Sequence, residues 1–288
     1  MGVVVTDAEV TLADVLSLRI AIEEPLGDGT RLVLRHRGSG AERHVLLGAA
    51  RGRSRDASVA VSLAPLALVP GRWDAYLQQD GPRTRIQSVD PGFSLDRLDA
   101  YALGRRTMAY RAYRTRTGYL AIKIDQARPV ADVRAVWFRE GRFEVTGLLA
   151  YTGLDDDDQQ REARLALRYG APATAASPES PESRESTDSP ESPGGAAATV
   201  TFSATVQGVR FHAALSLCDV VAATPDAHGV WEPSLEVDGV DRSLPLGARL
   251  DDVEGKRRRV HYPRALVDGV PIRPSFTSDD QLLLEVGV

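Results

Sequence analysis

The chain has 288 residues, a net charge of −5, and a composition of 43% hydrophobic and 26% charged residues. These proportions are those of an ordinary globular protein, and the length is sufficient for two hydrophobic cores. The acidic balance argues against nucleic acid as a partner, because bulk electrostatics would oppose binding. Arginine greatly outnumbers lysine, which occurs only at Lys123 and Lys256, and this points to a GC-rich genome such as that of an actinobacterium.

Two features bear on the location of the protein. Cys218 is the only cysteine, so no disulfide can form within the chain, which suits a reducing compartment. The first residues lack the charged and apolar regions of a signal peptide, and no apolar run approaches the length of a membrane span. We therefore expect a cytoplasmic protein without a membrane span.

The elements predicted in the first half are strands separated by turns. Residues 31–35 alternate polar and apolar side chains, which is typical of a half-buried strand. Gly-Arg-Trp at 71–73 belongs to another strand, and Asp-Gly at 80–81 predicts a hairpin, because a type I′ turn requires positive φ at both central positions. A helix of one or two turns is predicted over 94–101, and residues 120–124 form a closing strand.

The second half repeats this order after a predicted hinge at Pro129. Gly-Val-Trp at 229–231 and Asp-Gly at 238–239 have the same spacing as their counterparts in the first half. Residues 164–168 correspond to the strand at 31–35, and residues 282–286 correspond to the closing strand. An internal repeat of this kind indicates the architecture before any single residue is assigned.

The repeat predicts an all-β protein of two tandem immunoglobulin-like β-sandwich domains, at residues 8–126 and 130–288. Several short strands with turn signals between them, in units of this size, are typical of that class. Trp73 and Trp231 are predicted to fill the two cores, because aromatic side chains dominate the packing of such domains. The alternative for these tryptophans is stacking on a sugar.

A Ser/Pro/Glu-rich segment is predicted to be a disordered hairpin insertion at about 171–197, within the second sandwich. It contains too few apolar residues to offset the entropy of ordering, and a long loop costs the fold little. The four consecutive aspartates at 155–158 are interpreted as a solvated acidic loop. A calcium site is the alternative, although the spacing of an EF-hand is absent.

The segment from Tyr101 to Tyr119 is rich in tyrosine and arginine and is not matched in the second copy. Arginine binds carboxylate and phosphate groups through paired hydrogen bonds, and tyrosine rings stack on flat or sugar-like surfaces. The alternative is that the arginines coat an exposed strand. This segment supplies the predicted ligand-binding residues Tyr101, Tyr110, Arg111, Tyr113 and Arg114.

The sequence identifies no catalytic residue. The sequence has no phosphate-binding loop, nucleophile elbow or paired zinc ligands, so we predict neither a cofactor nor a metal site. His36 and His44 flank one turn but lack a third ligand. His212, Cys218, Asp219 and His228 resemble a nucleophile with its base, but a lone cysteine after an apolar run is expected to be buried and inert.

The pattern Gly-Arg-Trp-Asp at 71–74, an arginine-containing strand at 83–86, and Tyr-Arg-Thr-Arg-Thr-Gly-Tyr-Leu at 113–120 resembles a known family. It is similar to the tandem immunoglobulin-like accessory domains of actinobacterial family 2 glycosyltransferases and teichoic-acid-type polymerases. Tyr119 stands where that family has asparagine, and the second copy retains only Thr277 and Leu282 of the ending. The resemblance implies a noncatalytic module that serves in oligomerisation or in contacts with the polymer.

The expected function is therefore a noncatalytic binding or scaffolding protein, accessory to a glycosyltransferase or to a glycan or anionic-metabolite pathway. Its partner would be a protein or an anionic glycan or metabolite, and a homo-oligomer is possible. One alternative is an enzyme of specialised metabolism that uses the two domains as a scaffold, with a pocket at or between them. A structural oligomer built through sheet edges is another.

Overall fold

The computed structural model describes residues 3–22, 26–47, 56–79, 81, 83–90, 95–170, 198–250 and 255–288. Asp80, in the predicted hairpin turn, and Ser94, at the start of the predicted helix, lie outside the described residues, as does the predicted insertion at 171–197. The chain divides into two compact units, Met1–Arg128 and Pro129–Val288. The first strand begins at Val3, so the first unit includes strand residues that precede the predicted boundary at residue 8.

Ten strands, one 3₁₀ turn and one helix form the described part of the first unit. In chain order they are β1 (Val3–Val10), β2 (Val15–Ile22), β3 (Arg31–His36), β4 (Glu42–Leu46), β5 (Asp56–Ser62), the 3₁₀ turn Ala64–Leu66, β6 (Gly71–Gln78), β7 (Thr84–Arg85), β8 (Gln87–Ser88), α1 (Leu95–Leu103), β9 (Met108–Arg114) and β10 (Leu120–Gln126).

The strands of the first unit form two sheets that share one core. The four-stranded sheet has the order β5-β2-β1-β8, and the six-stranded sheet has the order β4-β3-β6-β10-β9, with β7 paired to β6. Alternate residues of each strand face the core, because successive side chains of a strand point to opposite faces. Leu18, Ile20, Leu34 and Ile122 lie in this core together with Trp73.

The second unit contains ten strands, two helices and one 3₁₀ turn among its described residues. In chain order they are β11 (Val130–Arg139), β12 (Arg142–Ala150), β13 (Gln160–Gly170), β14 (Thr199–Gln207), β15 (Arg210–Ser216), α2 (Leu217–Ala223), the 3₁₀ turn Pro225–Ala227, β16 (Gly229–Val237), β17 (Leu244–Gly247), α3 (Lys256–Arg259), β18 (Ala265–Val267), β19 (Val270–Phe276) and β20 (Leu282–Val286).

The second unit closes on itself. Its strands pair in the order β13-β14-β15-β12-β11-β17-β16, and β16 pairs again with β13, so seven strands form a barrel from which β20, β19 and β18 extend. The expectation of a mostly β chain is confirmed. In this unit β14 pairs with β15, and β17 pairs with both β11 and β16, so the strands join into one closed sheet. The corresponding strands β4 and β5 are not paired among the described residues of the first unit.

The internal repeat is confirmed at the level of strand register. Trp73 pairs with His36 on β3 and with Ile122 on β10. Trp231 pairs with Tyr169 on β13 and with Leu284 on β20. Because these partners are the residues that the sequence repeat aligns, the equivalence of the two units extends to single side chains.

Both repeated tryptophans are core residues, as predicted. The exposed fractions of Trp73 and Trp231 are 1% and 0%. A buried indole N–H requires an acceptor, and Trp73 donates to the Val69 carbonyl whereas Trp231 donates to Thr224 Oγ1, each over 2.9 Å. The His36 ring contacts Trp73 in a tilted arrangement, and the Tyr169 ring contacts Trp231 edge to face, with ring centroids 5.1 and 5.3 Å apart.

Strand β4 forms one edge of the six-stranded sheet, and it carries a charge that points inward. Arg43 is opposite Leu34, whose side chain is fully buried, so both face the core side of the sheet. The Arg43 guanidinium donates from Nε to the Leu66 carbonyl over 2.9 Å. An inward-pointing charge on an edge strand opposes the addition of another strand, which disfavours the oligomer built through this edge.

None of the described helices is long and apolar enough to cross a membrane.

Candidate functional site

The candidate site lies on the outer face of the six-stranded sheet of the first unit, and strand β6 forms its centre. The alternation of β6 turns Trp73, Ala75 and Leu77 toward the core. The intervening residues Arg72, Asp74 and Tyr76 therefore lie on the opposite face. The strand that anchors the core thus also presents a charged and aromatic surface.

Three cationic residues form a row across adjacent strands of this face. Lys123 on β10 is directly opposite Arg72 on β6 and directly opposite Arg111 on β9. Directly opposite residues of antiparallel strands point to the same face, with Cβ atoms about 5 Å apart. Arg37 flanks this row, because its N–H donates to the Arg72 carbonyl over 2.8 Å. We call Arg72, Lys123 and Arg111 the cationic row.

Asp74 orients two of the arginines of this face. Its Oδ1 atom accepts from Arg72 Nε and from Arg85 Nη2, each over 2.9 Å, and Arg72 Nη2 lies at 2.8 Å. The Asp74 side chain is 14% exposed, so these pairs are partly shielded from solvent and hold the guanidinium groups in defined positions. On the neighbouring strand β10, Ala121 is opposite Asp74 of β6 and also opposite Tyr113 of β9.

Two tyrosine rings of this face contact arginine side chains. The guanidinium of Arg85 lies 4.3 Å from the centre of the Tyr119 ring, and that of Arg83 lies 5.2 Å from the centre of the Tyr76 ring. Such cation–π contacts fix both partners while leaving ring edges accessible. We define the tyrosine–cation face by the following residues: Arg72, Asp74, Tyr76, Arg85, Arg111, Tyr113, Tyr119 and Lys123.

The second unit has the same sheet but not this surface. The repeat register places Val230 and Glu285 where the first unit has Arg72 and Lys123. Arg273 corresponds to Arg111, and its Nε lies 2.7 Å from Glu285 Oε2. The counterparts of the tyrosines and of Arg85 are small or uncharged, namely Ser234, Ser275, Gln281 and Pro245. The tyrosine–cation face is therefore specific to one copy of a duplicated framework.

The structure divides the predicted ligand-binding residues into two groups. Arg111 and Tyr113 lie on the tyrosine–cation face, and Arg114 is exposed at the end of β9. Tyr101 and Tyr110 are instead buried, with 4% and 7% of their surface exposed. The predicted set is thus not a single surface, because side chains on β9 alternate between core and solvent.

The buried tyrosines belong to a network around Asp14 in the turn between β1 and β2. The Tyr101 hydroxyl and Arg106 Nη1 both donate to Asp14 Oδ1 over 2.6 Å, and the Arg106 guanidinium lies 3.7 Å from the Tyr101 ring centre. Burial and the hydrogen bond to Asp14 raise the pKa of Tyr101, and burial followed by the charge of Asp14 raises the pKa of Tyr110. Asp14 has φ of 57°, a conformation that non-glycine residues rarely adopt.

An open cavity of about 410 Å³ adjoins this network and is lined by Asp14, Arg105, Arg106, Met108 and Tyr110, among others. A second cavity, of about 660 Å³, is lined by residues of β13, β14 and β16 in the second unit. Neither of these two cavities is lined by His36, His44 or His212.

Of the remaining candidates for chemistry, His44 lies on the same outer face of the sheet as Tyr76, because Val33 on β3 is directly opposite both residues. His44 Nε2 is 3.4 Å from Glu42 on an exposed part of β4. Cys218 is exposed at the start of α2, so the expectation that it is buried was wrong: the apolar run ends in β15, and the cysteine follows on the helix. Within the described ranges, no group of three His, Cys, Asp or Glu side chains could hold a metal ion.

Six members of the face lie outside the predicted ligand-binding residues, and one of them, Tyr119, ends the segment from which those residues were predicted. Arg72, Asp74 and Tyr76 flank the buried tryptophan strand, and the alternation that predicted burial of Trp73 could have placed them outside. Alternation could not have placed Lys123 beside Arg111 or Arg85 beside Asp74, because these contacts depend on the order of strands in the sheet.

No protein-family model matches the chain, and no curated protein matches its sequence. The structure is similar to solved structures of TarS from S. aureus, at 10% sequence identity. For a fragment of TarS the TM-score is 0.34, with 73% of this chain and 54% of that chain covered. For a longer TarS structure the TM-score is 0.35, with 73% and 34% covered. The chain thus spans about half of the first and a third of the second, and a likeness this weak supports no conclusion about function.

Proposed function

We propose that this chain is a noncatalytic binding protein that holds an anionic glycan or metabolite on the tyrosine–cation face of its first unit. The observation that carries the proposal is the cationic row, in which Arg72, Lys123 and Arg111 lie side by side on three adjacent strands. Like charges that are directly opposite destabilise a sheet. Asp74 and Asp125 compensate part of this charge through Arg72 and Lys123, and the second unit has no such row of cations, which supports an anionic ligand for the first unit.

The chemistry of the face favours binding over catalysis. Asp74 is the carboxylate at its centre, and two guanidinium groups already occupy its Oδ1 atom. A carboxylate neutralised in this way is a poor general base, because proton transfer would break both contacts. Guanidinium and ammonium groups beside tyrosine rings instead match acidic groups attached to flat rings.

The wider assignment follows from the family resemblance of the sequence. In this proposal each unit is a variant of the immunoglobulin-like sandwich, and the protein is an accessory to a glycosyltransferase or to a glycan pathway. The lone cysteine favours the cytoplasm as its location.

A direct titration tests the proposal. We expect the full chain to bind polygalacturonate, an acidic polysaccharide, and not dextran, which is neutral, in isothermal titration calorimetry. The variant Arg111→Ala/Tyr113→Ala should weaken binding at least tenfold, because it removes one cation of the row and the adjacent ring. Arg116→Ala removes a cation from the turn of the same hairpin and serves as the matched control.

Circular dichroism should show that the double variant remains folded, since both side chains lie on the outer face. If polygalacturonate does not bind, or if the double variant binds as tightly as the Arg116→Ala control, the proposed function is wrong.

A further inference from the structure

We infer that the ligand of the tyrosine–cation face is a linear acidic oligosaccharide that crosses the strands and places at least three successive acidic groups on the cationic row. This inference rests on the proposed function and specifies the ligand of the same site. It follows from the direction of the row, the spacing of its members and the position of Asp74.

The row runs perpendicular to the strands. Arg72, Lys123 and Arg111 occupy β6, β10 and β9, which are consecutive in the six-stranded sheet. Neighbouring strands are about 4.8 Å apart, so three cations recur at about that interval over a distance of about 10 Å. A single small anion can contact at most two of them, whereas a chain with regularly spaced acidic groups can contact all three.

Arg37 lengthens the row beyond β6. Its backbone lies beside Arg72, and the residue is exposed. The equivalent positions of the second unit are Gly170 and Val230, which are paired in the same way. The first unit therefore carries cations along one line across the sheet, which is the pattern expected for a linear ligand and not for a compact one.

Asp74 favours a sugar over other polyanions. Its ion pairs and hydrogen bonds with the described residues all involve Oδ1, which leaves Oδ2 as an acceptor next to the row. An acidic sugar supplies hydroxyl donors to such an atom and acidic groups to the cations. The phosphates of a nucleic acid backbone supply only acceptors.

The tyrosines suit the same ligand. Tyr113 adjoins the row on β9, opposite Ala121, whose small side chain separates the Tyr113 ring from Asp74. Tyr119 is held by Arg85 through a contact of 4.3 Å. Rings placed beside, and not within, the line of cations can cover the apolar faces of sugar units while their acidic groups contact the row.

A length series tests this inference on the full chain. Galacturonate, digalacturonate, trigalacturonate and tetragalacturonate would be titrated by calorimetry. We expect the affinity to rise roughly threefold with each acidic unit up to three, as exposed ion pairs are added, and to level off at the tetramer. In Lys123→Ala, which interrupts the row at its centre, the rise from one unit to three should be largely lost.

Two further ligands distinguish a failure of this inference from a failure of the proposed function. Tripolyphosphate carries acidic groups without sugar hydroxyls and should bind more weakly than trigalacturonate. A single-stranded oligonucleotide should bind more weakly still. If the monomer binds as tightly as the trimer, or if tripolyphosphate or the oligonucleotide binds more tightly, the inference is overturned while an anion-binding face remains. If none of these anions binds, the proposed function fails together with the inference.

Discussion

Arg111 lies directly opposite Lys123 in the pairing of β9 with β10, whereas the equivalent pair of the second unit is Arg273 opposite Glu285. The same framework thus carries two cations at one cross-strand position and an ion pair at the other. Directly opposite like charges are unfavourable, and opposite charges contribute about 0.2–1 kcal/mol. At this position a pair of opposite charges favours stability, whereas two cations favour the binding of an anion.

The substitution Lys123→Glu copies the second unit into the first. We expect the free energy of unfolding to change by less than about 1 kcal/mol, because Arg111 gains an acidic neighbour while the ion pair between Lys123 and Asp125 is lost. Binding of polygalacturonate should be lost, because the row then contains a carboxylate. Urea denaturation and calorimetry measure the two effects. Arg164→Glu makes the same charge change at an exposed position of β13 and should leave binding intact; a Lys123→Glu variant that still binds would refute the role of the row.

Tyr101 makes the stability of the first unit depend on alkaline pH. Its pKa is raised above the ordinary value of 10.0, so the folded unit retains the phenol proton more firmly than the unfolded chain does. The contribution is therefore complete below about pH 10 and is lost as the pH rises further. In Tyr101→Phe, we expect urea denaturation to show lower stability at pH 8, by about 1 kcal/mol, and a smaller decline between pH 8 and pH 11.

The control for this measurement is Tyr113→Phe, whose ring lies on the outer face. It should retain the full alkaline decline. Tyr110 also has a raised pKa, so the decline in Tyr101→Phe should be reduced and not abolished. An alkaline decline that is identical in Tyr101→Phe and in the unmodified chain would show that Tyr101 does not titrate as proposed.

Thr224 is the acceptor for the indole of the second core. Its Oγ1 atom accepts from Trp231 Nε1 over 2.9 Å and donates to the Val220 carbonyl over 2.6 Å. Replacement by valine keeps the shape of the side chain but leaves a buried N–H without its acceptor, at a cost of about 1–3 kcal/mol. Chemical denaturation should detect this loss in Thr224→Val, and Thr201→Val, at an exposed position of β14, should change stability by less than about 0.5 kcal/mol.

Arg43 protects the open edge of the six-stranded sheet. Its replacement by valine would remove the inward charge and the bond to the Leu66 carbonyl, leaving β4 as an apolar edge. Such edges recruit strands from other molecules. We expect Arg43→Val to self-associate with increasing concentration in sedimentation velocity, whereas Arg31→Val, which removes an exposed charge from β3, should sediment as the unmodified chain does. Equal sedimentation of both variants would exclude this role for Arg43.

The duplication, the strands at 31–35, 71–73 and 120–124 with their counterparts, and the burial of both tryptophans follow from the sequence alone. These features depend on local alternation and on spacing along the chain, and the pairing of Trp73 with His36 and Ile122, and of Trp231 with Tyr169 and Leu284, follows the alignment of the two copies. Alternation of polar and apolar residues along a strand indicates which face is buried, so this pattern can be recognised without coordinates.

Only the tertiary structure decided which charged residues share a surface and how each unit closes. Lys123 stands between Arg72 and Arg111 because β10 lies between β6 and β9, an order that is not the order of the chain. The closure of the second unit likewise depends on β14 meeting β15, which the equivalent β4 and β5 do not do among the described residues. Such contacts arise from long-range pairing, and local propensity contains no information about which distant strand becomes the neighbour.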